Sequence, residues 1–74
     1  MIIIIKMMNG VKFTLDIDKH ITVLVLKEKI QKIKKIDTNM QRLIFQGSPM
    51  INDCQLDKYN LKENSIIHLI LSMM

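Results

Sequence analysis

The stretch QRLIFQG, residues 41–47, predicts a short β-strand that ends in a turn. Side chains alternate between the two faces of a strand, so Leu43 and Phe45 would share one face and Arg42 and Ile44 the other. If Leu43 and Phe45 point into a core, Ile44 points towards water beside an arginine. An isoleucine in that place predicts a covering surface, which is either a binding partner or another copy or domain of the same protein.

Length and composition predict one small domain over residues 1–74. The chain is 49% hydrophobic and only 4% aromatic, and isoleucine dominates the apolar residues. A domain of this size buries only about 60% of the surface of its unfolded chain, so its core must be well filled. We therefore expect a dense aliphatic core in which many branched side chains belong to strands.

The charged residues and the single cysteine make several classes of protein unexpected. The net charge is +4, and Arg42 is the only arginine. Lysines without arginine forks or stacking aromatic rings read bases poorly, so we expect no nucleic-acid binding. Cys54, the one cysteine, excludes an internal disulfide, and a reducing compartment, the cytoplasm or the nucleus, is the simplest expectation.

The sequence lacks the patterns typical of membrane proteins, cofactor-binding proteins and common enzyme families. No apolar segment approaches the 18 or so residues of a membrane-spanning helix, so we expect no membrane partner. The chain contains no GxGxxG, P-loop, HExxH or GxSxG motif. We therefore expect no enzyme activity, no catalytic residue, no cofactor and no metal.

The first half of the chain predicts a hairpin followed by a helix. Residues 1–7 and 11–17 are predicted strands around the turn MNG, where Asn9 and Gly10 tolerate positive φ. Thr22 is a candidate N-cap for a helix. The apolar face of that helix is predicted from residues at spacings of three and four: Val23, Leu26, Ile30 and Ile33.

The second half predicts three extended segments and one helical turn. After a cap or turn at residues 37–39 come a strand at residues 40–45, a turn QGSP and a short extended piece at Met50 and Ile51. Residues 56–60 resemble one helical turn, and residues 65–73 form the last strand. On that strand Ile67, Leu69 and Leu71 face one side, and Ile66, His68 and Ile70 face the other. The order predicts a two-layer α+β domain with one helix across a mixed sheet.

The pattern QRLIF.G at residues 41–47, with Tyr59–Asn60 and HL.L at residues 68–71, resembles the ubiquitin family without a gap. Further matching residues are Lys6, Gly10, Thr22, Lys27, Lys29, Ile30, Gln31 and Ser65. Positions buried in that family are aliphatic or Phe here: 3, 5, 13, 15, 17, 23, 26, 30, 43, 50, 56, 61, 67 and 69. The resemblance covers the whole chain and implies the β-grasp fold.

The resemblance also implies a docking site that would explain Ile44. Family members bind partners through a solvent-facing apolar patch, and the matching positions are Met8, Ile44, His68 and Ile70, with Lys6 and Arg42 as a basic rim and Gly47 at its edge. Such patches bind short amphipathic helices with acidic residues. The implied partners are proteasome subunits, ubiquitin-interacting helices or ubiquitin-associated domains.

The sequence departs from the modifiers of this family, which end in Gly-Gly. It reads LILSMM at its end, with Ser72 at a position where ubiquitin has arginine, and Val11, Ile33, Ser48 and Glu63 replace chain-building lysines. We therefore expect a monomeric, non-conjugated docking domain at the start of a longer protein. The alternatives are a modifier whose terminal glycines lie beyond Met74, and a scaffold or oligomer that uses its apolar first strand.

Three further departures carry expectations about structure. Lys27 matches a largely buried lysine whose acidic partner is replaced by Asn52, so its ion pair is either lost or rebuilt through Asp53. Lys35 replaces a helix-ending glycine, which should lower stability. The apolar Ile2, Ile4, Leu24, Val25 and Ile51 either reflect drift in composition or form a second contact.

Overall fold

The computed structural model describes residues 1–72, and it confirms the predicted α+β architecture with one main helix and a mixed sheet. Five strands form one sheet: β1 Ile2–Met7, β2 Lys12–Asp16, β3 Gln41–Phe45, β4 Ser48–Pro49 and β5 Ser65–Leu71. Helix α1 spans Val23–Lys34, and 3₁₀ turns span Thr38–Met40 and Leu56–Tyr59. The strand order is β2-β1-β5-β3-β4, with β1 and β5 parallel and the other pairs antiparallel. This is the β-grasp arrangement.

Alternating isoleucines of β1 and β5 build the centre of the core. Ile3, Ile5 and Ile67 are fully buried, and they pack with the buried face of α1. The buried apolar residues are Ile3, Ile5, Ile17, Val23, Leu26, Ile30, Leu43, Phe45, Met50, Leu56, Ile67 and Leu69. Phe13, Leu15 and Leu61, predicted to be core residues, are only half-buried. For Phe13 and Leu15 the reason is that β2 is an edge strand, which has a neighbour on one side only.

The β1–β2 hairpin closes through the predicted MNG turn. Gly10 has φ +87°, and its N–H donates to the Met7 carbonyl at 3.0 Å. Asn9, which tolerates positive φ, does not adopt it here. Its side-chain oxygen instead accepts a hydrogen bond from the Val11 N–H at 3.0 Å, and this side-chain hydrogen bond stabilises the turn.

Helix α1 begins as predicted, but its buried face is rotated. The Thr22 hydroxyl accepts from the Val25 N–H at 3.2 Å, which confirms the N-cap. Ile33, predicted on the buried face, is 50% exposed, whereas Lys27 is buried. Lys27 and Ile33 lie about 60° to either side of Ile30 at 100° per residue, so the helix can bury only one of them well. The sheet covers the Lys27 side.

The chain between β3 and the 3₁₀ turn differs from the prediction. The extended pair is Ser48–Pro49, not Met50 and Ile51. Gln46 and Gly47 both have positive φ, 53° and 80°, which makes a two-residue hairpin turn, and pairing therefore resumes at once with Phe45 opposite Ser48. Pro49 lies on an edge strand, where its missing N–H removes no ladder hydrogen bond.

The last strand is shorter than predicted. It ends at Leu71 rather than Met73, and Met73 lies outside the described residues. Leu71, predicted to share the buried face of Ile67 and Leu69, is 38% exposed. It lies opposite Gln41 in the last pair of the β3–β5 ladder. At this end β5 extends past the core, so less of the Leu71 side chain is covered.

The C-terminus of α1 carries backbone strain at Lys35. This lysine has φ 60° and ψ 36°, the left-handed conformation, and its N–H donates to the Gln31 carbonyl at 2.8 Å. For a residue with a Cβ, that backbone conformation costs about 1 kcal/mol of free energy, whereas glycine adopts it freely.

We predict that Lys35→Gly raises the free energy of unfolding by about 0.5–1 kcal/mol, because it removes this strain at a helix end. Urea denaturation at pH 7 measures the change. Lys32→Gly, on the exposed side of the same helix, is the matched control and should lower stability by about 1 kcal/mol. Loss of stability in Lys35→Gly would contradict the assignment of strain.

Candidate functional site

The outer face of the sheet is set by the residues that alternate away from the core. On β3 these are Arg42 and Ile44, and on β5 they are Ile66, His68 and Ile70. The ladder places Ile44 directly opposite His68, and Arg42 opposite Ile70. Lys6 of β1 lies beside His68 on its other side. The central histidine is therefore flanked by an isoleucine and a lysine on neighbouring strands.

A shallow open concavity of about 430 Å³ lies over this face. Its lining residues are Lys6, Met7, Met8, Ile44, Gly47, His68, Leu69 and Ile70. The structure thus brings together six of the seven residues predicted as a binding site. Arg42, the seventh, is exposed beside the concavity through its pairing with Ile70. We call these seven residues the docking patch.

The apolar members of the docking patch differ in how far they are covered. Met8 projects from the β1–β2 turn and is 78% exposed, whereas Ile44 and Ile70 are half-buried by their neighbours. Met8 is flexible and can adjust to the shape of a ligand, whereas the branched Ile44 and Ile70 have few rotamers. The patch is therefore adaptable at its Met8 end and rigid at the other. Gly47 has φ +80° and open space where a Cβ would stand, so its role is to permit the turn.

The rim of the docking patch is positive and has no anion of its own. Lys6 faces Lys12 across the β1–β2 ladder, and like charges placed directly opposite each other repel. Within residues 1–72 no carboxylate lies within salt-bridge distance of Lys6, Lys12 or Arg42. The site can therefore accept carboxylates from outside without first breaking an internal ion pair.

Beneath this face, the Gln41 side chain ties the sheet to the helix. Its Nε2 donates to the carbonyls of Lys27 and Ile36, both at 2.9 Å, while Oε1 has no hydrogen-bond partner among residues 1–72. Neither Asn52 nor Asp53 pairs with Lys27 in the described residues, so the ion pair is lost rather than rebuilt. Burial, and then the nearby charge of Arg42, lower the pKa of Lys27 below its usual value of 10.5.

The sequence analysis missed a second depression next to the docking patch. It has a volume of about 300 Å³ and is lined by Met7, Met8, Asn9, Leu69 and Leu71. Leu71 belongs to it because β5 leaves the core there. The two depressions share Met7, Met8 and Leu69, so Met8 stands between them.

In residues 1–72 the potential metal ligands are spread apart. Those residues contain no cluster of three potential metal ligands. Cys54 is half-buried rather than fully exposed, and its sulfur lies 3.7 Å from the Lys58 ammonium. Its carbonyl accepts from the Val23 N–H at 2.9 Å, which is a structural role at the start of α1. The helices of the described chain are too short or too polar to cross a membrane.

A mixed five-stranded sheet with one main helix in the β-grasp arrangement is the architecture of ubiquitin-like proteins. The chain belongs to the ubiquitin family, whose sequence model matches residues 3–74. Members of this family are generally non-enzymatic protein modifiers or domains.

Some relatives match this chain over nearly their whole length, and others match it over a small part of a long protein. The chain is 34% identical to Ubiquitin-like protein 1 of Schizosaccharomyces pombe, over 99% of this chain and 94% of that protein. It is 32% identical to Ubiquitin-like protein NEDD8 of Dictyostelium discoideum, over 99% and 95%. It is also 35% identical to Ubiquitin-like domain-containing protein CIP73 of Lotus japonicus, over 89% of this chain but only 10% of that protein.

We predict that Lys27→Met raises the free energy of unfolding at pH 7 by about 1 kcal/mol, because a buried charge without a partner opposes folding. The pKa of Lys27 is lower in the folded chain than in the unfolded chain, so the folded chain loses this charge first as the pH rises. The free-energy cost of burying the charge therefore disappears between these two pKa values. The advantage of the variant should therefore shrink as the pH approaches 10.5. Lys29→Met, at an exposed position, is the control and should change stability little. Denaturation from pH 7 to 10.5 makes the measurement, and an equal effect of both variants at every pH would contradict the prediction.

Proposed function

We propose that this chain is a non-catalytic docking domain of the ubiquitin–proteasome system, and that its docking patch binds amphipathic helices of other proteins. The observation that carries the proposal is the 430 Å³ concavity, which collects apolar side chains from three strands and a turn beside Lys6. Lys6 has no carboxylate partner among residues 1–72. Proteasome subunits, ubiquitin-interacting helices and ubiquitin-associated domains are the partners that we infer.

The chemistry of the patch determines the ligand that it would take. Ile44 and Ile70 offer a narrow apolar strip, which fits the apolar stripe of one helix. Lys6 and Arg42 favour carboxylates on the side of that helix nearest to them. Because the contact area is small, we expect an affinity in the micromolar range or weaker.

The match to CIP73 supports the proposal that the domain belongs to a longer protein, because the matching segment there is a small fraction of the whole. We further infer a monomer that acts in the cytoplasm or the nucleus. The scarcity of aromatic side chains supports proteins, rather than nucleic acids, as its partners. We propose no membrane partner.

A second candidate function is covalent modification of other proteins. It is favoured by relatives named as NEDD8 or as NEDD8-like, of which the chain covers 95% and 88%. In that case a C-terminal Gly-Gly beyond Met74 would be joined to the lysine of a target. Both functions use the same fold and the same docking patch, so the patch does not distinguish them.

We predict that Ile44→Ala lowers the affinity for a ubiquitin-interacting helix peptide by at least tenfold, because it removes apolar contact at the centre of the patch. The fold should persist, since Ile44 lies on the outer face. Ile51→Ala, exposed and away from the sheet, is the control and should bind normally. Calorimetric titration with circular dichroism makes the comparison. An unchanged affinity in folded Ile44→Ala would refute docking at this patch.

The end of the mature protein decides between docking domain and modifier. We predict that the reading frame continues past Met74 into a long chain, and that the intact mass of the endogenous protein agrees with it. A mature chain that ends in Gly-Gly soon after Met74 would assign the modifier function instead.

A further inference from the structure

The apolar surface of the sheet continues beyond the docking patch. Ile66 precedes His68 by two residues on the outer face and is 42% exposed. The parallel ladder sets Ile4 directly beside it, and Ile2 follows Ile4 on the same face. Both are half-buried and neither belongs to the docking patch. We call the row of Ile70, Ile44, Ile66, Ile4 and Ile2 the outer stripe.

The length of the outer stripe follows from the strand register. Ile3 is level with Ser65, which puts Ile2 level with residue 64. From there to Ile70 is six residues, or about 20 Å at 3.3 Å per residue. An α-helix of about 13 residues has the same length at 1.5 Å per residue.

The two ends of the outer stripe carry opposite charge. Arg42 lies opposite Ile70, and Lys6 and Lys12 lie level with His68, two residues before Ile70. None of the three has a carboxylate partner among residues 1–72. At the other end Asp16 lies opposite Ile2, and the Glu63 carboxylate accepts from the Ile2 N–H at 3.1 Å. The N-terminal ammonium contacts Asp16 at 3.0 Å and also experiences the charges of Glu63 and Asp18. Three carboxylates therefore act on this one ammonium.

We propose that the outer stripe binds a single amphipathic helix of about four turns, whose acidic half lies over Lys6 and Arg42 and whose basic half lies over Asp16 and Glu63. The half over Ile44 rests on the proposed function. The new element is the Ile66–Ile4–Ile2 half, which lengthens the contact and selects a ligand with opposite charges at its two ends.

A helix fits this surface better than a second copy of the sheet. Lys12, Thr14 and Asp16 of β2 lie alongside the stripe on one edge, and Arg42 lies on the other. A helix about 10 Å wide covers the isoleucines and leaves those polar side chains in water. Two sheets packed face to face would also bury the polar flanks, which opposes association.

The test uses two synthetic helical peptides of equal length, 14 residues each. Both carry leucines and flanking glutamates in the first half. The full-stripe peptide continues with leucines and flanking lysines, whereas the half-stripe peptide has glutamines at those positions. Titration calorimetry measures both affinities at low and moderate salt, and circular dichroism establishes that the helicities match.

We expect the full-stripe peptide to bind at least tenfold more tightly than the half-stripe peptide. Ile66→Thr, which keeps a branched strand residue, should remove most of that gain and leave the half-stripe affinity unchanged. Glu63→Gln, which keeps the acceptor for the Ile2 N–H, should weaken only the full-stripe peptide, about threefold and more at low salt. Ile51→Thr is the matched exposed control and should alter neither affinity.

The outcomes separate this inference from the proposed function. Equal affinities of the two peptides for the native chain would overturn the four-turn stripe and leave docking at Ile44 intact. Failure of both peptides to bind the folded chain would overturn the docking function, and the stripe with it. Sedimentation of the chain without peptide gives the third result: self-association that Ile66→Thr abolishes would assign the stripe to a second copy and overturn the helix.

Discussion

The parallel pairing of β1 with β5 is the constraint on which the rest of the structure depends. It joins strands from the two ends of the described chain at the centre of the sheet, with Ile5 level with Ile67. Because side chains alternate, this register sends Ile3, Ile5 and Ile67 into the core and Ile4, Lys6 and Ile66 to the surface. A slip of one residue would exchange the two sets. The same hydrogen bonds therefore define both the core and the outer face.

Alternation also explains why so many isoleucines remain at the surface. A strand in which every residue is apolar can bury only half of them beneath one helix, and four of the six residues of β1 are isoleucine. Alternation alone therefore leaves Ile4 on the outer face, where it is half-buried. What composition does not explain is the alignment of Ile4, Ile66 and Ile44 in one row, with opposite charges at its two ends. That arrangement is a property of three strands together.

Much of the fold was predictable because its periodicities are strong. The hairpin, the Thr22 cap and the outward direction of Ile44, His68 and Ile70 follow from local pattern, and the family resemblance supplied the rest of the docking patch. The failures have physical causes. Lys27 and Ile33 are equivalent on a helical wheel, and only the position of the sheet decides between them. β4 was missed because positive φ at Gln46, a residue that rarely adopts it, is invisible in sequence. The pairing of Ile4 with Ile66 depends on a parallel register that no local pattern specifies.

Two kinds of uncompensated positive charge in this domain have different meanings. Lys27 is buried and has no carboxylate partner among residues 1–72, and burial lowers its pKa, so its charge opposes folding. Lys6, Lys12 and Arg42 stand at the surface, where water screens their mutual repulsion and the loss of stability is small. A ligand that covers the adjacent isoleucines also excludes that water and strengthens each remaining electrostatic contact. In the docking that we propose, the repulsion that slightly weakens the free domain would become a preference for a partner that brings carboxylates. The apolar row and the basic rim would then act as one site rather than two.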